Sequence, residues 1–158
     1  MSLEKVKQYF TSLGLENNVL EFSQSSATVE LAAKALGCEE ARIAKTLSFM
    51  IDEKPVLIVT AGDVKIDNTK FKSTFLVKAK MLKFEEVEPL TGHAVGGVCP
   101  FAVNEGVKVY LDESLKKFKT VFPACGSANS AIELTIPVLE KYSLSCGWVD
   151  VCVTRHSV

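Results

Sequence analysis

The chain has 158 residues, 47% of them hydrophobic, and a formal net charge of −1. That length suits one domain with a sizeable core, and the apolar content argues against disorder, while near-neutrality gives no global sign of nucleic-acid binding. The longest apolar run, residues 56–61, is far too short to span a bilayer, and the opening MSLEKVKQYF lacks a signal-peptide apolar region, so a cytoplasmic protein with no membrane partner is expected.

In chain order, Leu3, Val6, Phe10 and Leu13 stand at helical spacing and Gly14 can end that helix. Residues 29–36 predict a second helix, with Thr28 as N-cap, Leu31, Ala32, Ala35 and Leu36 facing inward, and Gly37 closing it. A short turn near 39–43 leads to a strand over 45–51. Asp52-Glu53-Lys54-Pro55 turns the chain into VLIVTA, which reads as a fully buried strand. Asp67 is placed to cap a helix through about Phe75. A short strand over 76–80 and a helix over 84–91 follow. Beyond residues 92–102 come a strand at 107–111, a short helix at 112–118, a strand at 120–124, a turn at Cys125-Gly126-Ser127 and the strand AIELTI at 131–136. Pro137 suits the first turn of a helix ending near Tyr142, and a last strand covers 147–153. Residues 154–158 read as a flexible tail. Elements interleave with short links and no repeat or linker intervenes, so residues 1–158 are expected to form a single α/β (α+β) domain on a mixed sheet.

Five cysteines, at 38, 99, 125, 146 and 152, form no C-x-x-C pair. A disulfide framework or zinc site is poorly supported, and no metal is expected. Between Lys65 and Lys83 there are six lysines against one acid, Asp67, before Glu85, Glu86 and Glu88 follow. This strip is either solvated surface or a track for the phosphates of an RNA end.

Residues 92–102 read GHAVGGVCPFA. The pair Gly96-Gly97 followed by Pro100 makes a loop, because glycine reaches backbone angles closed to other residues and proline fixes its own φ. Such a loop is either an ordinary turn or a cradle of bare N–H groups for a carbonyl oxygen that gains negative charge. Lys45 lies where a helical turn meets a strand, with apolar Ile43, Ala44 and Leu47 beside it. A lysine there is either a surface solubiliser or a point charge for phosphate at a cleft.

Together, TVELAAKALGCEEARIAKTLSF at 28–49, AGDVKID at 61–67, GHAVGGVCPFA at 92–102 and VYLDESL at 109–115 resemble the YbaK/EbsC family, which includes the editing domain inserted in bacterial prolyl-tRNA synthetases and its free-standing relatives. The resemblance implies a curved, partly closed mixed β-sheet flanked by helices. It implies hydrolysis of mischarged aminoacyl-tRNA, notably tRNA(Pro), with no cofactor, through a substrate-assisted route in which a ribose hydroxyl helps to activate water. The acceptor end of the aminoacyl-tRNA would be one partner and prolyl-tRNA synthetase another. Lys45 falls on the motif lysine that contacts the terminal nucleotide, and Gly96 and Gly97 fall on the glycine pair that holds the ester carbonyl. Phe22, Thr28 and the turn containing Ala124, Gly126 and Ser127 are expected to line the amino-acid pocket. Thr46, His93 and Pro100 complete the expected substrate-binding set. The chain departs from the family pattern at Ala124, where serine is frequent, and at Ala102, where glycine is common, which bears on amino-acid specificity.

Two rivals stand beside this reading. One is a module that binds acceptor ends or a synthetase without hydrolysis. The other is a small-molecule thioesterase or amidase using Cys99, for which His93 is the nearest candidate base in sequence. Against the second, Cys99 reads as a packing residue and His93 as a hydrogen-bonding tie of the loop.

Overall fold

The computed structural model describes residues 2–155. Helix α1 spans Ser2–Ser12 and buries Val6 and Phe10 completely. A short strand β1 (Val19–Glu21) precedes α2 (Val29–Leu36), whose N-cap Thr28 accepts a hydrogen bond from the Leu31 amide at 3.2 Å. The long hairpin β2 (Ile43–Ile51) and β3 (Lys54–Ala61) is followed by β4 (Val64–Ile66), α3 (Asn68–Phe75) and α4 (Phe84–Thr91). Then come β5 (Lys108–Asp112), β6 (Thr120–Pro123), β7 (Ser130–Ile132), β8 (Leu134–Thr135), α5 (Ile136–Tyr142), β9 (Trp148–Val149) and β10 (Cys152–Thr154).

Six strands form one mixed sheet in the order β8-β6-β2-β3-β5-β9, curled into a half-barrel and flanked by helices. The hairpin β2–β3 is antiparallel with Lys45 opposite Thr60, while β5 runs parallel to β3 and β6 parallel to β2. Strand β3 is buried on both faces, as its unbroken apolar sequence dictates. Leu57 and Val59 join Phe10, Phe101 and Leu111 in one core, whereas Val56 and Ile58 join Phe49, Phe71 and Val151 in another. Phe10 meets Phe101 edge-on at 4.9 Å, so α1 supports the far end of the 92–102 loop.

Several expectations need correction. Residues 76–80 form no strand. Leu76 takes a left-handed backbone (φ 66°), and the backbone pairs with β2 through a single bridge between Phe49 and Met81, made by Met50 N–H to Lys80 O and Leu82 N–H to Ser48 O. The stretch 131–136 is two strands, because the chain leaves β1 for β6 at Glu133. The last strand is interrupted where the Val151 amide turns to donate to Asp112 Oδ1 at 2.9 Å. Leu31 faces outward, at 42% exposure, and Ala33 takes the inward place. The tail cannot begin at 154. Thr154 pairs with Val64, and the Arg155 amide donates to Asp63 O at 2.8 Å. Residues 156–158, with His156, lie outside the described residues. Strands β1 and β4, three residues each, are too short to show a period in sequence.

Candidate active site

A cavity of about 420 Å³ opens where the start of α2, strand β2, the 81–87 segment, the glycine loop and the 122–131 region meet. Its wall is mainly aliphatic and aromatic, with the hydroxyls of Ser26, Thr28, Thr46, Ser48 and Ser130 among it. Lys45 is the one ionisable side chain on the wall among the described residues.

Lys45 is the third residue of β2, half-buried, and its Nζ donates to Val64 O across the β3–β4 turn. Burial lowers its pKa, and the nearby Arg155 guanidinium adds to the effect. Arg155 is held by the same turn, donating from Nη2 to Gly62 O at 3.1 Å while Nη1 lies 3.4 Å from Glu30 and 3.5 Å from Glu40. An anion in the cavity would relieve the desolvation of Lys45. Beside it, Thr46 Oγ1 is buried with no partner among the described residues. A buried hydroxyl without a partner is costly, and a ligand group can remove that cost.

The two glycines part company. Gly96 lines the cavity with φ 91°, and its amide donates no hydrogen bond to a described protein group. Gly97 does not line the cavity, and its amide is already donated to Ala94 O at 3.0 Å in a turn. Its importance is a close approach. A Cβ on Gly97 would lie 2.6 Å from Ser127 N and 2.7 Å from Gly126 C, so only glycine lets the two loops touch. Val95 and Val98 flank the pair on the cavity wall, and Val95 is 47% exposed.

Of the remaining expected residues, Thr28 and Ala124 lie on the same wall as Lys45, Thr46 and Gly96. Phe22, Gly126 and Ser127 stand behind it. Phe22 O accepts from Asn129 Nδ2 at 3.0 Å, and Ser127 Oγ lies 2.7 Å from Ser130 Oγ, so these residues hold the 126–130 loop against the chain leading to α2. Pro100 is not brought to the cavity; it lines a separate cleft with Tyr9 and Val103. His93 is also off the cavity wall and fully buried. Its Nε2 lies 2.7 Å from Phe101 O, an acceptor only, which assigns the proton to Nε2. Cys99 Sγ is 3.5 Å from that nitrogen, but Nε2 already carries a proton and cannot take the thiol's. Burial pushes the Cys99 thiol up to about 12 and lowers the His93 pKa. Cys99 is 0% exposed and does not line the cavity. The pair is therefore a tie within the loop, without the geometry of a nucleophile and its base.

The acids near the motifs do other work. Asp67 accepts from the Lys70 amide at the start of α3, and Asp112 accepts from Ser114 and Val151 amides. Asp63 pairs with Lys117, and Glu133 with Arg42. Sequence reasoning missed Ser26, Met81, Phe84, Val87 and Phe122 on the wall. Met81 and Phe84 are 54% and 78% exposed. An aromatic residue directly after a run of lysines was the available signal for the last of these.

Residues 23–142 match the model of the aminoacyl-tRNA editing domain, and the chain belongs to that family. The uncharacterized protein YwhH of Bacillus subtilis (strain 168) is 56% identical over 153 residues, covering 96% of this chain and 98% of its own. EbsC of Enterococcus faecalis, named as a candidate Cys-tRNA(Pro)/Cys-tRNA(Cys) deacylase, is 30% identical over 72% of this chain and 70% of its own. The crystal structure of a candidate trans-editing enzyme for prolyl-tRNA synthetase superposes with a TM-score of 0.84 at 28% identity, over 95% of this chain and 96% of that one. Among the described residues no helix is long and apolar enough to cross a membrane.

Proposed function

We propose that this protein hydrolyses the ester between a mischarged amino acid and the 3′ end of tRNA, acting in trans on tRNA(Pro). The observation that carries the reading is a cavity whose wall holds, among the described residues, a single ionisable group, Lys45, together with Gly96, whose amide donates to no described protein group. Lys45 would bind the terminal nucleotide's phosphate as a point charge. The Gly96 amide would donate to the ester carbonyl as its oxygen gains charge. Gly97 contributes by placing that loop and not by donating, which narrows the role the sequence suggested.

Water attacks the carbonyl carbon, the ester C–O bond breaks, and the proton from water passes to the departing ribose oxygen. Among the described residues no carboxylate or imidazole lines the cavity wall, which supports a neighbouring ribose hydroxyl as the group that relays it. Catalysis then rests on orientation and electrostatics. The names of the relatives support tRNA(Pro) and prolyl-tRNA synthetase as the cognate tRNA and partner.

The test is single-turnover deacylation of a panel of misacylated tRNA(Pro) species. Wild type should hydrolyse at least one, and Lys45→Ala should lose about 10²-fold in rate with unchanged melting. Hydrolysis of none by wild type, or full activity in a folded Lys45→Ala, refutes the reading. A non-catalytic acceptor-end module would bind the same species and leave every ester intact.

A further inference from the structure

The segment from Leu76 to Phe84 joins two concave regions. At its C-terminal end, Met81 and Phe84 stand at the cavity holding Lys45, both strongly exposed. At its N-terminal end, Lys78 shares a cleft of about 650 Å³ with Lys72, Thr69 and Asn68 of α3. The backbone between them is fixed against β2 by Met50 N–H to Lys80 O at 2.8 Å and Leu82 N–H to Ser48 O at 3.1 Å. Leu82 points inward at 7% exposure, so its neighbours Met81 and Lys83 are turned outward. Lys72, Lys78, Lys80 and Lys83 form no ion pair among the described residues, whereas Lys70 is taken by Asp150. The acids Glu85 and Glu86 begin only beyond Phe84, and Glu86 is turned back to accept from the Lys83 amide at 2.8 Å.

An exposed aromatic and a thioether at a cavity mouth, continued by lysines without ion pairs among the described residues along a strap bridged to β2, suits single-stranded nucleic acid. Bases stack on the apolar groups while the cations follow the backbone. From Lys78 to Met81 an extended chain covers about 10 Å, so both features can engage one short strand. We propose that residues 76–84 are the track for the unpaired 3′ end of the RNA, with a base lying on Phe84 and Met81 and backbone phosphate held in the cleft of Lys72 and Lys78. The inference rests on the deacylase reading for the identity of the strand. It assigns the direction in which the RNA leaves the cavity, toward α3.

The experiment uses an uncharged tRNA acceptor minihelix with its single-stranded 3′ end, and the same minihelix trimmed of that end. Binding is read by fluorescence anisotropy across a salt series, with thermal melts of each variant. Phe84→Ala should weaken binding of the full minihelix about tenfold and leave the trimmed one unchanged. Phe84→Trp should restore it. Replacing Lys72 and Lys78 together by Gln should flatten the slope of log affinity against log salt by about 1.4, two phosphate contacts at about 0.7 each. These residues are exposed, so the variants should melt as wild type. Wild-type affinity in Phe84→Ala, equal weakening of both minihelices, an unchanged salt slope in the double lysine variant, or no binding by wild type would each overturn the track. Binding of uncharged RNA does not depend on hydrolysis. Loss of the track with esters still cleaved leaves the deacylase reading standing, and the expected binding pattern with no ester cleaved does the reverse.

Discussion

Gly97→Ala is the sharpest perturbation the site offers. The new methyl would lie 2.6 Å from Ser127 N and 2.7 Å from both Gly126 C and Ser127 Cα. All three are backbone atoms, so no side chain can swing aside. Ordinary contact begins near 3.4 Å, so the 92–102 loop must move from the 126–130 loop by roughly 0.8 Å, the difference 3.4 − 2.6. Overpacking of this kind costs about 1–3 kcal/mol. In a chain of this length each kcal/mol lowers Tm by about 2–4 °C, which gives a drop of about 2–12 °C. The shift also carries the Gly96 amide away from its place, and a displacement near 1 Å can cost on the order of 10² in rate. Thermal melting and single-turnover deacylation are measured together, with Val95→Ala as the companion. Val95 is 47% exposed on the cavity wall, so its truncation should change stability by under about 0.5 kcal/mol. A Gly97→Ala protein with the wild-type melting temperature and rate would refute the reasoning, because the two loops would then not need their contact.

Cys99→Ser should keep its hydrolytic rate and lose about 1–3 kcal/mol of stability, since a hydroxyl replaces a thiol in a fully buried place; a rate loss of several orders of magnitude with normal melting would restore the thiol as nucleophile. Burial lowers the His93 pKa, so the unfolded state binds the extra proton first, and stability should fall as pH drops below about 6.5, the imidazole's ordinary value. His93→Gln should remove that part of the acid slope in denaturant titrations at pH 5 to 7, and an identical slope in the variant would show that another group carries it.

The local grammar of the chain was readable wherever a residue acts on its immediate neighbours. Thr28, Asp67 and Asp112 cap as their types suggest, and VLIVTA forms a strand buried on both faces. The site was readable in part, through residues lying on motifs: Thr28, Lys45, Thr46, Gly96 and Ala124 share one wall. What could not be read is which way a loop turns. His93 and Pro100 stand within a few residues of Gly96, yet Cys99 dives into the core and takes His93 with it, and Pro100 emerges on a different cleft. The outer rim was hidden for another reason. Met81 and Phe84 follow a segment with no strand or helix period, and the two hydrogen bonds of its bridge to β2 bring them to the cavity.

The clamp made by Arg155 has a consequence for when the site exists. It reaches across 125 positions to Glu30, and Tyr9 reaches across 133 to the Tyr142 carbonyl. The cavity wall itself draws on residues from Ser26 to Ala131. A chain emerging from the ribosome therefore shows Ile43 to solvent well before Phe122 arrives to pack on it. Contacts of such long sequence separation also close slowly. A wall that needs both Ser26 and Ala131 cannot close until synthesis has passed Ala131, so the cavity is a late product of folding.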